Sequence, residues 1–371
     1  STNRGNRLTL QIINSFSYTM NRFTKHLLTL LVALLSLTMA QAQQDWKLLV
    51  GGDLDVYFDN REYSDSPIGK SQTLFSSRLT PKVGIQWNEK NSLVAAVDIW
   101  SNFGDNTTLF DKARAQVYYR FNSDKVSAYA GIFSREEMLG DYSEVFLSDS
   151  VRFYENRVQG FMGQYKGDRG FVELSLDWCG MYSKASREKF RILSAGRYYF
   201  DNNQRFYGGY ALELFHYAGS EYISHNVVDN VIVNPFVGAR FNAFFDFDVR
   251  LHYIHTLQRD RANEDKFRTP KGGMLQARIS KWGVYLDEQI YTGKNLMPYY
   301  YSAPNEIFAN GYGSELYSGS TLFGTIPTWS GDRDSSHSFF DTRIGYCNSF
   351  FNDTVRLNAF FAFQCDGTNW G

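Results

Sequence analysis

Histidine is the side chain best suited to moving protons near neutral pH, and this sequence of 371 residues holds six. His252 follows Asp248 by four positions in "FFDFDVRLHYIHTL" (244–257). In a strand, four residues span ~13 Å at about 3.3 Å each, too far for a hydrogen bond. His216, His225, His255 and His337 have no nucleophile beside them, and neither G-x-S-x-G nor H-E-x-x-H occurs. Such histidines serve as hydrogen-bonding groups in a polar interior, and the expectation is a protein that is not an enzyme. Cys179, Cys347 and Cys365 have no metal spacing, so no disulfide framework, metal site or cofactor is expected. The acids of 136–156 (Glu136, Glu137, Asp141, Glu144, Asp149) match no calcium loop and suit a solvated rim.

The elements that must position these groups are strands. In 244–257 the odd positions Phe245, Phe247, Val249, Leu251 and Tyr253 alternate with Asp246, Asp248, Arg250 and His252. Period-two alternation places them on opposite faces. Fifteen such segments run from 46 to 364, most of them ten residues or longer. Their connections alternate in length. Tight turns such as 88–90, 122–124, 167–168, 201–204, 242–243, 282–283 and 350–353 alternate with long loops, the longest being 136–156 and 292–336. Short turns at one end and long loops at the other mark an antiparallel transmembrane β-barrel, which has an even number of strands in bacterial single chains. Fifteen strands are present of an expected sixteen.

The polar face would line a lumen. Arg78, Lys82, Lys112, Arg114 and Arg120 lie on the early strands, followed by Glu173, Asp177, Lys189, Arg191, Arg197 and Glu213. Asp246, Asp248, Arg250, His252, Arg278, Asp341, Arg343 and Arg356 complete the set. Such charges either bias which solutes pass or pair into an inert interior. Segments 157–166 and 284–291 carry mixed patterns and cannot be oriented this way. Trp46, Trp87 and Trp282 fall at short-turn ends, and Trp100 and Trp178 near long-loop ends, where a membrane-interface belt would hold them.

Residues 20–42, "MNRFTKHLLTLLVALLSLTMAQA", have the basic start, apolar stretch and small-residue cleavage site of a signal peptide, with 1–19 as an upstream leader. The mature part, 43–371, keeps 34 basic and 39 acidic residues, a net charge of −5 that argues against nucleic acid as a partner.

With "WKLLVGGDLDVYFDN", "SSRLTPKVGIQW", "SDSVRFYENRVQGF", "GFVELSLDWCGMYS", "REKFRILSAGRYYF" and "FFNDTVRLNAFFAFQCDGTNWG", residues 43–371 resemble an uncharacterised family of porin-like outer-membrane β-barrel proteins of the Bacteroidota. That resemblance implies a fold and an address, the cell outer membrane with its lipid as partner, and no chemistry. It also implies a further strand after "DGTNWG", so that this chain would be truncated at its C-terminal end. The function expected is a channel for small polar solutes. A closed barrel acting as scaffold in an envelope complex, or a barrel-embedded lipid- or peptide-hydrolysing enzyme, are the alternatives.

Overall fold

The computed structural model describes residues 46–62, 71–104, 113–143, 145–147, 149–184, 187–221, 227–262, 265–294, 296 and 336–365. The leader, the signal peptide, Lys112, Glu144, His225, nearly all of 292–336 beyond Lys294 and the final "DGTNWG" lie outside them. Fifteen strands form one antiparallel sheet in sequence order. They are β1 (Trp46–Arg61), β2 (Gln72–Trp87), β3 (Asn91–Asn102), β4 (Ala113–Asn122) and β5 (Val126–Ser134). Then come β6 (Arg157–Gly167), β7 (Gly170–Gly180), β8 (Lys189–Tyr199), β9 (Phe206–Tyr217) and β10 (Val228–Asn242). The series ends with β11 (Asp246–Asp260), β12 (Lys271–Lys281), β13 (Val284–Lys294), β14 (Ser336–Phe350) and β15 (Val355–Cys365). All fifteen segments read from alternation are strands.

The unit described below comprises the described residues of Leu48–Gln86 and of Lys90 onward. On β7, Glu173, Ser175 and Asp177 are buried while Val172, Leu174 and Trp178 are exposed. The turns are tight where expected. Trp282 (φ 54°) and Gly283 (φ 86°) form a two-residue connection of β12 to β13, with both residues in the left-handed region that such hairpins need.

The connection between β5 and β6 differs from expectation. It opens with a 3₁₀ turn, Arg135–Glu137, capped by the Ser134 hydroxyl, and carries a short helix α1 (Asp149–Tyr154). It is no solvated rim: Tyr142, Val145, Phe146, Leu147, Val151 and Phe153 are buried. Phe153 stacks on Tyr57 of β1 at 5.1 Å. Arg78 of β2 donates to the Phe153 carbonyl at 2.9 Å and to Glu136 at 2.9 Å. Arg191 of β8 donates to the Phe146 carbonyl at 3.1 Å, and Arg343 of β14 to Asp149 at 3.3 Å. One segment can touch β1, β2, β8 and β14 only if the sheet curls around it. Of the acids that suggested solvent exposure, Glu136, Asp141 and Asp149 are bonded to strand arginines and Glu137 accepts from the Tyr129 hydroxyl. The apolar residues between them join a core with Leu193, Ala211, Phe215, Ile232, Met274 and Phe339, each large side chain so buried stabilising by about 1.5–3 kcal/mol.

Candidate functional site

Two places gather chemistry-bearing side chains, one inside the curl and one on its outer wall. Inside, Arg78, Glu173, Asp177, Arg191 and Glu213 are buried toward the inward segment. Most of the side chains expected to line a lumen do not face open space. Glu173 accepts from the backbone N–H groups of Leu139 and Gly140 at 2.7 and 2.9 Å. A Cβ at Gly140 would come within 2.7 Å of that carboxylate and 2.6 Å of Ala195, so this close approach requires glycine. Asp177 pairs with Arg135, and Arg197 with Asp141. Arg191 and Glu213, both fully buried, pair at 2.5 Å. Burial, seconded by the Glu173 carboxylate, pushes the Tyr142 phenol well above its ordinary range and keeps it neutral. Lys82 pairs with Asp53, Arg114 with Glu155, and the Arg120 guanidinium donates to Ser92 at 3.2 Å. His252 is buried against Asn234 at 3.1 Å. Lys189 lies over the Tyr217 ring, while Asp246 and Arg356 are exposed near turns.

What remains is a cavity of about 280 Å³ between the inward segment and β11–β14. Its wall includes Asp149, Arg152, Asp248, Arg250, Arg278, Asp287, Asp341 and Arg343. Acids and arginines pair along this wall, with Asp248–Arg250 at 3.1 Å, Arg278–Asp287 at 3.4 Å and Arg343–Asp341 at 3.0 Å. Asp287 is one inward carboxylate that sequence reasoning missed. So is Asp98, fully buried and held by Thr80 and Gln116 at 2.8–2.9 Å. The parity of Ser92, Val94, Ala96 and Asp98 on β3 would have found the second.

Trp100 is a correction. It belongs to the inward face, is 5% exposed and lies 5.3 Å beneath the Arg114 guanidinium, so it cannot be part of a membrane-interface belt. Residue parity placed it inward with Asp98; nearness to a strand end alone was the wrong guide. Trp46 and Trp282 are exposed, Trp87 is half-buried, and Trp178 is 40% exposed on the outward face.

Trp178 begins the second place. Register lays Trp178, Phe190, His216, Asp229 and Arg259 in one row across β7–β11, on the outward face at the long-loop ends. Trp178 stacks on Phe190 at 5.3 Å, and Phe190 on His216 at 4.9 Å. His216 Nδ1 lies 3.5 Å from Asp229 Oδ1. Arg261 donates to both Asp229 oxygens through Nε and Nη2 at 2.7 and 2.9 Å, and Arg259 approaches the same carboxylate at 3.4 Å. The next outward row, two residues nearer the middle of each strand, is Leu176, Ile192, Leu214, Val231 and Leu257, without a polar atom in its side chains. An acid–imidazole pair with two guanidinium groups thus stands at the upper border of an aliphatic wall. His216 showed no partner in sequence because Asp229 is on another strand.

These features define an antiparallel β protein whose curled sheet has a filled, charged interior and a largely apolar outer wall. The chain belongs to the Lipid A 3′-O-deacylase-type family, whose model matches residues 40–321. That membership overturns the expectation that the chain is not an enzyme, since the family is defined by one. Solved porin structures align along much of this chain at low identity and TM-scores below 0.5. A triple mutant of the Rhodopseudomonas blastica porin is 12% identical with a TM-score of 0.41, covering 88% of this chain and 96% of that one. OpdL of Pseudomonas aeruginosa is 10% identical with a TM-score of 0.47, covering 87% and 96%. OprB of Pseudomonas putida is 8% identical with a TM-score of 0.42, covering 86% and 89%. A comparison with curated proteins gives no match.

Proposed function

We propose that the protein is an outer-membrane esterase that releases an ester-linked acyl chain from lipid A, working from its outer wall at His216. The observation that carries this reading is the His216–Asp229 pair at 3.5 Å on the outward face, directly above the Leu176–Leu257 aliphatic row. A lipid lying along that row has its chain against leucine and valine and its ester at the height of the imidazole. Asp229 orients Nδ1–H, which leaves Nε2 to take a proton from water. The water oxygen attacks the ester carbonyl, and Arg259 and Arg261 stabilise the oxyanion. Collapse breaks the bond to the alcohol oxygen, which receives the proton back from His216. The products are a free fatty acid and the lipid's hydroxyl.

The resemblance of the sequence to Bacteroidota barrels, together with the export signal read over 20–42, supports an outer-membrane address. In the test, purified full-length protein is mixed with lipid A in detergent micelles and free fatty acid is followed by mass spectrometry. Steady release supports the reading, and none above the protein-free control overturns it.

A second reading, passage of small polar solutes, is favoured by the polar cavity beside Arg250 and Arg343. The inward segment opposes it. Planar bilayers holding the wild-type protein are expected to show no stepwise conductance. Exchange of 139–154 for a short Gly/Ser linker is expected to create it. Stable conductance steps from the wild type would restore the channel reading.

A further inference from the structure

Four inward side chains stand in a single row across β11–β14. Register sets Asp248 beside Arg278, Arg278 beside Asp287 and Asp287 beside Arg343. The signs alternate, so the row is neutral. Its two ends are tied. Asp248 accepts from Arg240 at 2.8 Å and from Arg250 at 3.1 Å, and Arg343 donates to Asp341 at 3.0 Å and to Asp149 at 3.3 Å. The middle is looser: Arg278 meets Asp287 at 3.4 Å, and neither side chain makes a hydrogen bond among the described residues. One inward row further from the short turns, Gln276 donates to Gln289 at 2.8 Å. The Gln289 amide nitrogen has no partner among the described residues. Ser143 of the inward segment lines the same cavity, and its buried Oγ is likewise without a partner among the described residues. Tyr142 and Leu147 give the cavity an apolar side.

Polar groups held away from water call for a partner. The guest must donate to Asp287 and accept from Arg278 and Gln289, and a hydroxyl does both. Neighbouring hydroxyls on one ring match an acid and a base standing side by side, and the C–H face of the ring suits Tyr142 and Leu147. An ion is disfavoured, because the charges of the row cancel and it would lose hydration for little Coulomb return. At about 280 Å³ the space is smaller than the ~300–1,000 Å³ of sites for drug-sized ligands, so no whole lipid fits. We propose that this cavity is a binding site for a neutral polyhydroxylated solute of monosaccharide size, held by Arg278, Asp287, Gln289 and Ser143. It lies on the inward face, opposite in direction to His216, and rests on neither reading of function given above.

In the test, full-length protein in an amine-oxide detergent, which carries no sugar, is titrated with D-glucose and followed by saturation-transfer difference NMR. Saturable binding is expected, with an affinity that does not change when NaCl is raised tenfold. Glycine, a zwitterion, should not displace the glucose at equal concentration. Asp287→Ala should weaken binding about tenfold, as loss of a hydrogen bond to a charged group does, and Gln289→Leu about fivefold. No saturable binding by the wild type, displacement by glycine, an affinity that falls with salt, or one that survives both substitutions would each overturn the proposal. The first three are read on the wild type, so they decide the matter even where a variant fails to fold.

Discussion

His216→Ala is expected to lower acyl release from lipid A by ~10²–10⁴-fold, the usual contribution of a positioned general base. The side chain lies on the outer wall, stacked on Phe190 and outside the buried core, so the fold should survive the change. Asp229→Asn should also lower the rate, because an amide no longer fixes the imidazole's orientation and no longer holds Arg259 and Arg261 together. The two losses should not add in the double variant, since one pair does one job. His255→Ala, two outward rows nearer the strand centre on β11, serves as control and should stay within about twofold of wild type, as surface changes off the reacting groups generally do. Full activity in His216→Ala would mean that the base lies elsewhere.

Strands and turns were legible because alternation is a local property. Glu173, Ser175 and Asp177 announce their face without reference to any other segment. Segments 157–166 and 284–291 could not be oriented, and the structure shows why. Val158 and Met162 are apolar yet inward, because they pack with the inward segment's Met138 in a second core cluster. Glu288 is charged yet outward, accepting from Thr342 at 2.6 Å. Local pattern fails where the interior is not solvent and the wall is not wholly apolar. The segment 136–156 reads as a rim because its charges outweigh Val145, Phe146, Leu147, Val151 and Phe153, whose i, i+4 spacing at Leu147 and Val151 hints at a packed turn. The His216–Asp229 pair was illegible for a different reason. Thirteen positions separate the two, and only the register of β9 on β10 sets them side by side. No motif records a partnership made across strands.

The same dependence on pairing makes the Arg191–Glu213 bridge a sharp test of what holds the interior together. Both side chains are fully buried, and Arg191 also donates to the carbonyl of Phe146 on the inward segment. Glu213→Ala leaves a guanidinium in the interior without its carboxylate. Breaking one partner of a buried pair costs about 3–5 kcal/mol. The expected result is a large fall in the thermal unfolding midpoint of the detergent-solubilised protein. Replacing both partners removes the stranded charge. Arg191→Met with Glu213→Leu should therefore recover most of the loss, because apolar groups of similar volume can substitute for a buried ion pair. Recovery would show that the pair is dispensable for stability once neither charge is present. If the double variant stays as unstable as Glu213→Ala, the Phe146 carbonyl contact is the part that matters, and the bridge serves chiefly to aim Arg191 at the inward segment.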